Sequence, residues 1–335
     1  MATRDNTGFS PPRWLQNAHL QSVLPGLKWR YPFVARRAHG LLASAEQHII
    51  DCGDGTRLLG LLSRQPRPIG EPARQLVVLL HGWEGSAESL YVLSLGAHLY
   101  AHGCDVMRLN FRDHGGTHAL NPEIFHSCRI AEVVGAVKRI QALFPAQRMA
   151  LAGFSLGGNF ALRVAVRAPA DGIALHRVVA VCPVLRPHST LEVLDRGWAA
   201  YRYYFLRKWK ASLRLKQQCF PELYDFADVM ALNSLGQMTD LLVRRHSDFV
   251  DLDAYLNGYA LTGSVFEGLK VTSHIICAAD DPIIPSRDLD ALYPSSYLSL
   301  TRMPRGGHCG FMDRPAAESW ADRHIGRLLT QPVAR

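Results

Sequence analysis

The stretch Met149-Ala150-Leu151-Ala152-Gly153-Phe154-Ser155-Leu156-Gly157-Gly158-Asn159-Phe160 decides how the chain is read. Residues 149–153 are an apolar run of strand length. From 156 to 168 apolar side chains recur at helical spacing. Between the two lies Gly-x-Ser-x-Gly. Glycines beside a serine permit a tight, strained turn that lifts the hydroxyl above a sheet edge. The helix start behind it favours developing negative charge. The pattern alone also arises by chance, so its weight comes from the strand–turn–helix setting and from the partners the rest of the chain supplies.

Outward from this point the chain alternates strands and helices. Strands are expected at 47–51, 57–63, 75–80, 105–111, 149–153, 177–182, 271–277 and 297–302, with Gly53-Asp54-Gly55 as a hairpin turn. The central ones are continuous apolar runs, as in a parallel sheet covered on both faces. Helices are expected at 87–102, 128–143, 156–168, 286–293 and 314–330. A hairpin followed by β-α repeats predicts a mostly parallel α/β sheet of eight strands flanked by helices. One stretch, 185–262, has no strand signal and is too long for a plain loop. It reads as a helical cap inserted between strands six and seven of a single domain spanning 1–335. Residues 1–45 carry turn signals and read as an extension wrapping the core.

A serine hydroxyl needs a base oriented by a carboxylate. Asp281 lies in Ala278-Ala279-Asp280-Asp281-Pro282-Ile283-Ile284-Pro285, just after strand seven, and His308 in Arg305-Gly306-Gly307-His308-Cys309-Gly310-Phe311, just after strand eight. Both fall at C-terminal strand ends, where open α/β sheets place their sites. Ser155, Asp281 and His308 are therefore the candidate catalytic groups. The Asp-Pro-x-x-Pro turn favours Asp281 as the acid, and its neighbour Asp280 competes for that role. The candidate oxyanion donors are the backbone N–H groups of Leu156 and of Trp83, the latter in His81-Gly82-Trp83-Glu84-Gly85-Ser86 after strand three. His81 reads as a brace for that loop. A metal site from Asp113, His114, His118 and His126 matches no standard ligand spacing, and neither a metal nor a cofactor is expected.

These residues resemble the α/β-hydrolase superfamily, and more narrowly its YheT-like branch, the AB hydrolase 4 family. The narrower resemblance is carried by Trp14-Leu15-Gln16-Asn17-Ala18-His19-Leu20-Gln21-Ser22-Val23-Leu24-Pro25, by the His81–Ser86 loop, by Asn110-Phe111-Arg112-Asp113-His114-Gly115-Gly116, and by the serine, acid and histidine motifs. Trp83 stands where the family has an aliphatic residue, and Asp113-His114 depart from its Asn-Phe-Arg-Gly loop. The resemblance, weakest in the cap from about 186 to 240, implies an α/β-hydrolase fold and cofactor-free hydrolysis of carboxylic esters, with acyl or lipid esters among the substrates. Thioesterase or acyltransferase chemistry on the same groups is the alternative, as is a catalytically silent member that binds a lipid or a partner.

Composition narrows the remaining classes. The 335 residues are 48% hydrophobic and 20% charged, which excludes a disordered chain. Seven widely spaced cysteines form no Cys-x-x-Cys pair and fit a reduced compartment. The first residues lack the apolar stretch of a secretory signal, and no run has the length of a membrane span, so a cytoplasmic location is expected. Lys and Arg exceed Asp and Glu by eight. Seven of these cations fall in residues 196–218 (Arg196, Arg202, Arg207, Lys208, Lys210, Arg214 and Lys216), a segment with no acid. A nucleic-acid binder would spread its charge over a module, and none is present. At ~100° per residue Trp198, Tyr201, Phe205, Trp209 and Leu213 share one face of a cap helix. Arg196, Arg207, Lys210 and Arg214 fall on the other. That basic face is either solvated or belongs to a lid that touches the anionic lipid of a membrane surface or an acidic substrate.

Overall fold

The computed structural model describes residues 8–68 and 70–330. Met1–Thr7 of the expected extension lie outside the described residues. Three short helices follow, α1 (Ala18–Val23), α2 (Tyr31–Arg37) and α3 (His39–Ala43). The chain then enters the hairpin β1 (Ala45–Asp51) and β2 (Arg57–Ser63), turning through Gly53, Asp54 and Gly55, all at positive φ. Next come β3 (Leu76–Leu80), α4 (Leu90–Ala101), β4 (Asp105–Leu109), α5 (Ile130–Leu143), β5 (Met149–Phe154), α6 (Leu156–Arg167) and β6 (Leu175–Val181). Five helices separate β6 from β7: α7 (Pro187–Arg196), α8 (Ala199–Cys219), α9 (Ala227–Ala231), α10 (Leu235–His246) and α11 (Leu252–Asn257). The described chain closes with β7 (Ser273–Ala278), β8 (Leu298–Met303) and α12 (Trp320–Thr330).

All eight strands join one sheet in the order β1-β2-β4-β3-β5-β6-β7-β8. The hairpin and the β2–β4 pair are antiparallel, and every other pair is parallel. The apolar runs have the reason expected of them. Leu76, Val78 and Leu80 of β3 enter the core under α5, α6 and the β6–β7 helices. Val77 and Leu79 face the opposite core, built by α2–α4 and α12. A strand buried on both sides has no polar face to alternate with.

Three expected elements differ. Residues 286–293 form a short 3-10 helix, Ser286–Ala291, rather than an α-helix. The last helix begins at Trp320, not 314. Ser319 and Asp322 cap it reciprocally: Asp322 N–H donates to Ser319 Oγ (3.0 Å) and Ser319 N–H to Asp322 Oδ2 (2.9 Å). The turn before it presents carbonyls that the N-terminal helices satisfy. Arg30 donates to Pro315 O (2.6 Å) and Ala317 O (3.1 Å), and Arg37 to Ala316 O (2.8 Å). Residues 18–43 therefore dock as helices where turn signals alone are legible in the sequence.

Candidate active site

Ser155 closes β5 and precedes α6 with φ 54° and ψ −119°, a left-handed conformation that costs a non-glycine residue free energy. Its surroundings over-determine that conformation. Ser155 N–H donates to Val181 O of the neighbouring strand (2.8 Å). A Cβ at Gly153 would come within 2.2 Å of Gly157 O, and one at Gly157 within 2.4 Å of His81 O and Leu80 O. Only glycine lets the turn close this tightly against both neighbours.

The structure brings Ser155, His308 and Asp281 together. Ser155 Oγ lies 2.9 Å from His308 Nε2, and His308 Nδ1 lies 2.9 Å from Asp281 Oδ2. Asp281 Oδ1 accepts from Ile283 N (2.8 Å) and Ile284 N (2.9 Å), so the Asp-Pro turn aims the second oxygen at the imidazole. Asp280 points elsewhere, and its Oδ1 accepts from Gly307 N (2.9 Å). Of the two adjacent acids it is thus Asp281 that faces His308, while Asp280 holds the loop carrying it. Burial disfavours the charged form of His308. The Asp281 carboxylate and the Cys309 thiol outweigh that and hold the imidazole well above its ordinary pKa.

Trp83 and Leu156 line the same cavity as Ser155. As the first residue of α6, Leu156 has no intrahelical acceptor for its N–H. In the loop after β3 the other amides are engaged. Gly82 N–H donates to Tyr91 Oη (3.0 Å), Glu84 N–H to His114 Nε2 (3.1 Å) and Gly85 N–H to Gly82 O (2.9 Å). No described residue accepts from Trp83 N–H. His81 is fully buried, with Nδ1 on Gly82 O (2.7 Å) and Nε2 accepting from Phe111 N (3.2 Å), and burial holds its pKa well below the ordinary value. It braces the loop. Burial likewise pushes His114 down to about 4, leaving a neutral ring that can accept from Glu84. These bonds give the Asn110–Gly116 loop its work: it carries the loop of Trp83. Asp113 and His118 are spent in the same way, on Phe125 N (2.8 Å) and on Ser212 Oγ (2.9 Å).

A cavity of about 580 Å³ opens onto Ser155 and His308. Its walls are mainly apolar, with Trp83, Leu191, Tyr201, Phe205, Trp209 and Tyr259 prominent. Trp83 stacks on Phe205 of α8 (5.2 Å, 8°) and meets Trp209 edge-on (5.1 Å). The β6–β7 helices are thereby packed on the loop beside the serine. Two charged groups, Glu84 and Lys208, also line this cavity, and burial pushes Glu84 up to about 7.

The basic segment is less exposed than its helical phase implies. Lys216 is fully buried and donates to Asn121 O (2.6 Å), Asp113 Oδ1 (2.8 Å) and His118 O (3.3 Å). Lys208 reaches Glu84 O, and Arg202 reaches Asp195 O (2.7 Å). Lys210, which shares a face with Arg196, Arg207 and Arg214, is half-buried and donates to Met230 O (2.9 Å). A long stem lets an ammonium bend back to the protein from an outward Cα. Arg196 pairs with Glu192 (3.1 Å), and Arg207 and Arg214 are exposed.

Residues that sequence reasoning did not assign a role also hold the site. Ser22 Oγ accepts from His308 N (2.8 Å). Fully buried Gln21 bonds Met312 twice, donating to its carbonyl (2.8 Å) and accepting from its N–H (2.8 Å), and donates to Leu15 O (2.8 Å). The His19-Leu20-Gln21-Ser22 stretch is therefore a clamp on the loop that bears His308. Asn159 ties the base of the β6–β7 helices, donating to Val184 O (2.8 Å) and Tyr259 O (2.7 Å). Replacing Gln21 with alanine strands several buried backbone groups, so a loss of about 2–3 kcal/mol is expected. A thermal melt checks this, with Tm expected to fall by roughly 3–4 °C.

A twisted, mostly parallel sheet with a strained serine between strand and helix, and an acid and a histidine after the last two strands, defines an α/β-hydrolase. Residues 75–220 match the family described as alpha/beta hydrolase fold. The chain is 24% identical to the "Putative esterase YheT" of Escherichia coli (strain K12), over 96% of this chain and 93% of that one, which agrees with the YheT-like resemblance of its motifs. It is also 25% identical to the monoacylglycerol lipase ABHD2 of Danio rerio, over 61% of this chain and 53% of that one. Among solved structures, the Pyrococcus furiosus esterase Pf2001 superposes with a TM-score of 0.55 at 16% identity, covering 88% of this chain and 92% of that one. The 2,6-dihydroxy-pseudo-oxynicotine hydrolase gives 0.55 at 18% identity, covering 88% and 71%. Both share the fold. No helix among the described residues is long and apolar enough to cross a membrane.

Proposed function

We propose that the protein is a serine hydrolase that cleaves carboxylic esters with a large apolar acyl or alcohol part. The observation that carries this reading is the pair of 2.9 Å contacts linking Ser155 Oγ, His308 and Asp281. Ser155 Oγ attacks the ester carbonyl as His308 Nε2 takes its proton. Asp281 stabilises the imidazolium and fixes the tautomer through Nδ1. The oxyanion that forms receives the N–H groups of Trp83 and Leu156. Collapse expels the alcohol, which takes the proton from Nε2. Water then enters by the same route, with His308 again as base, and frees the acid and the serine. The esterase and lipase names of the relatives support the reaction class. The mainly apolar walls support the substrate's character, because a strongly polar substrate would exchange its hydration there for few partners.

Two assays test the reading together. A fluorophosphonate probe should label the folded protein on Ser155 and nowhere else. A series of esters of increasing acyl length should show kcat/KM rising with length until the cavity is full. Thioesters and transfer to an alcohol acceptor belong in the same series, since both use these groups. Well-folded protein that takes no label would refute the proposal.

A further inference from the structure

Three soft donors converge beneath the His308 loop. Cys182 follows the end of β6, and Cys309 follows His308, 127 positions later. Both cysteines hold left-handed backbone, φ 43° and 61°, a conformation uncommon for residues other than glycine. The Cys309 N–H points at Cys182 Sγ (3.4 Å). The two Sγ atoms and a ring nitrogen of His308 all lie within 4.8 Å of one another. Cys182 is buried, whereas His308 and Cys309 line the cavity, so an ion has a path from the mouth.

We infer that Cys182, Cys309 and His308 form a binding site for a thiophilic divalent cation, Zn²⁺ by its chemistry, and that an occupied site silences Ser155. A tetrahedral zinc with bonds of about 2.3 Å to sulfur and 2.0–2.1 Å to nitrogen holds its sulfurs about 3.8 Å apart and sulfur and nitrogen about 3.6 Å apart. Within their 4.8 Å span the three donors stand at most about 1.2 Å beyond that spacing. Two thiolates and an imidazole suit zinc, with the fourth position left to water. The balance is simple. The thiols donate weakly to Gly307 O (3.8 Å) and Val181 O (3.6 Å), and on binding each releases its proton to solvent. The two thiolates cancel the ion's charge, and His308, which also gives up its second ring proton to solvent as it binds, supplies a lone pair.

The consequence for Ser155 follows from the imidazole having two nitrogens. Nδ1 is bonded to Asp281 and Nε2 to Ser155. Whichever one ligates the metal is withdrawn from that chain, so metal binding and ester cleavage exclude each other. The inhibition rests on the function proposed above, whereas the binding does not.

The test uses the reduced full-length protein and Cd²⁺ as a probe, since cadmium thiolates absorb in the ultraviolet. One Cd²⁺ per chain should give the charge-transfer band, and Zn²⁺ should displace it. Stoichiometric Zn²⁺ should lower esterase activity at least tenfold, with recovery on adding EDTA. Cys309→Ser and Cys182→Ser should each weaken Cd²⁺ binding by at least ~10–100-fold, the range seen even for outer-sphere partners of a metal. Cys219→Ser, at an exposed thiol, should change neither binding nor activity. Ser155→Ala keeps all three donors and should bind Cd²⁺ like the parent chain. A band that survives in Cys309→Ser, or stoichiometric binding that leaves activity intact, overturns the inference. If Cys182→Ser does not fold, Cys309→Ser alone decides. A parent chain that shows the Cd²⁺ band but no esterase activity keeps the metal site and removes the serine reaction.

Discussion

Ser155→Ala is expected to lower kcat by ~10⁵–10⁶-fold, the scale found when a serine nucleophile is removed from an intact array. The fold should be kept, because alanine fits the space and faces the same left-handed strain as the serine it replaces. A thermal melt should move by only a degree or two, and KM for the residual reaction should change little. The remaining rate would come from the Trp83 and Leu156 amides, which the substitution leaves in place. Full activity in this variant would exclude Ser155 as the nucleophile.

The second large effect separates two adjacent acids. Asp281→Asn is expected to lower kcat by ~10⁴-fold. The asparagine amide can donate to Nδ1, which drives the proton to Nε2 and turns the base away from Ser155. Asp280→Asn should cost less than tenfold, since its carbonyl can still accept from Gly307 N–H. Steady-state kinetics on the two variants give the contrast directly. The reverse order of effects would transfer the role to Asp280.

How legible these features are depends on how local they are. The serine turn is visible because strand, glycines and helix follow one another within about a dozen residues. The central strands β3 and β5 are visible because burial on both faces leaves uninterrupted apolar runs. Asp280 and Asp281 cannot be separated that way, as both lie on one loop and only its turn decides which carboxylate faces the ring. Gln21 and Ser22 look like ordinary polar positions on a short helix. Their partners, Met312 and His308, lie almost three hundred residues away. The Cys182–Cys309 pair is hidden for the same reason. The charge of 196–218 is legible as a sum, but not as a direction, because long side chains on one helix reach partners from several phases.

Lys216 carries that last point into the motion of the molecule. Helix α8 reaches Asp113 with a buried ammonium, and Asp113 in turn holds Phe125 N. Lifting α8 from the sheet would leave a carboxylate in the interior without its cation. Separating such a pair costs about 3–5 kcal/mol. A fully raised α8 would then occupy ~10⁻²–10⁻⁴ of the population, too little to serve as the usual way in. Traffic through the cavity falls instead to its solvent-exposed edge, where Val23, Leu27, Trp198 and Tyr204 line the cavity and are exposed. If the protein cleaves esters as proposed, substrate size is gauged by that edge under a fixed roof, and the basic segment is what pins the roof down.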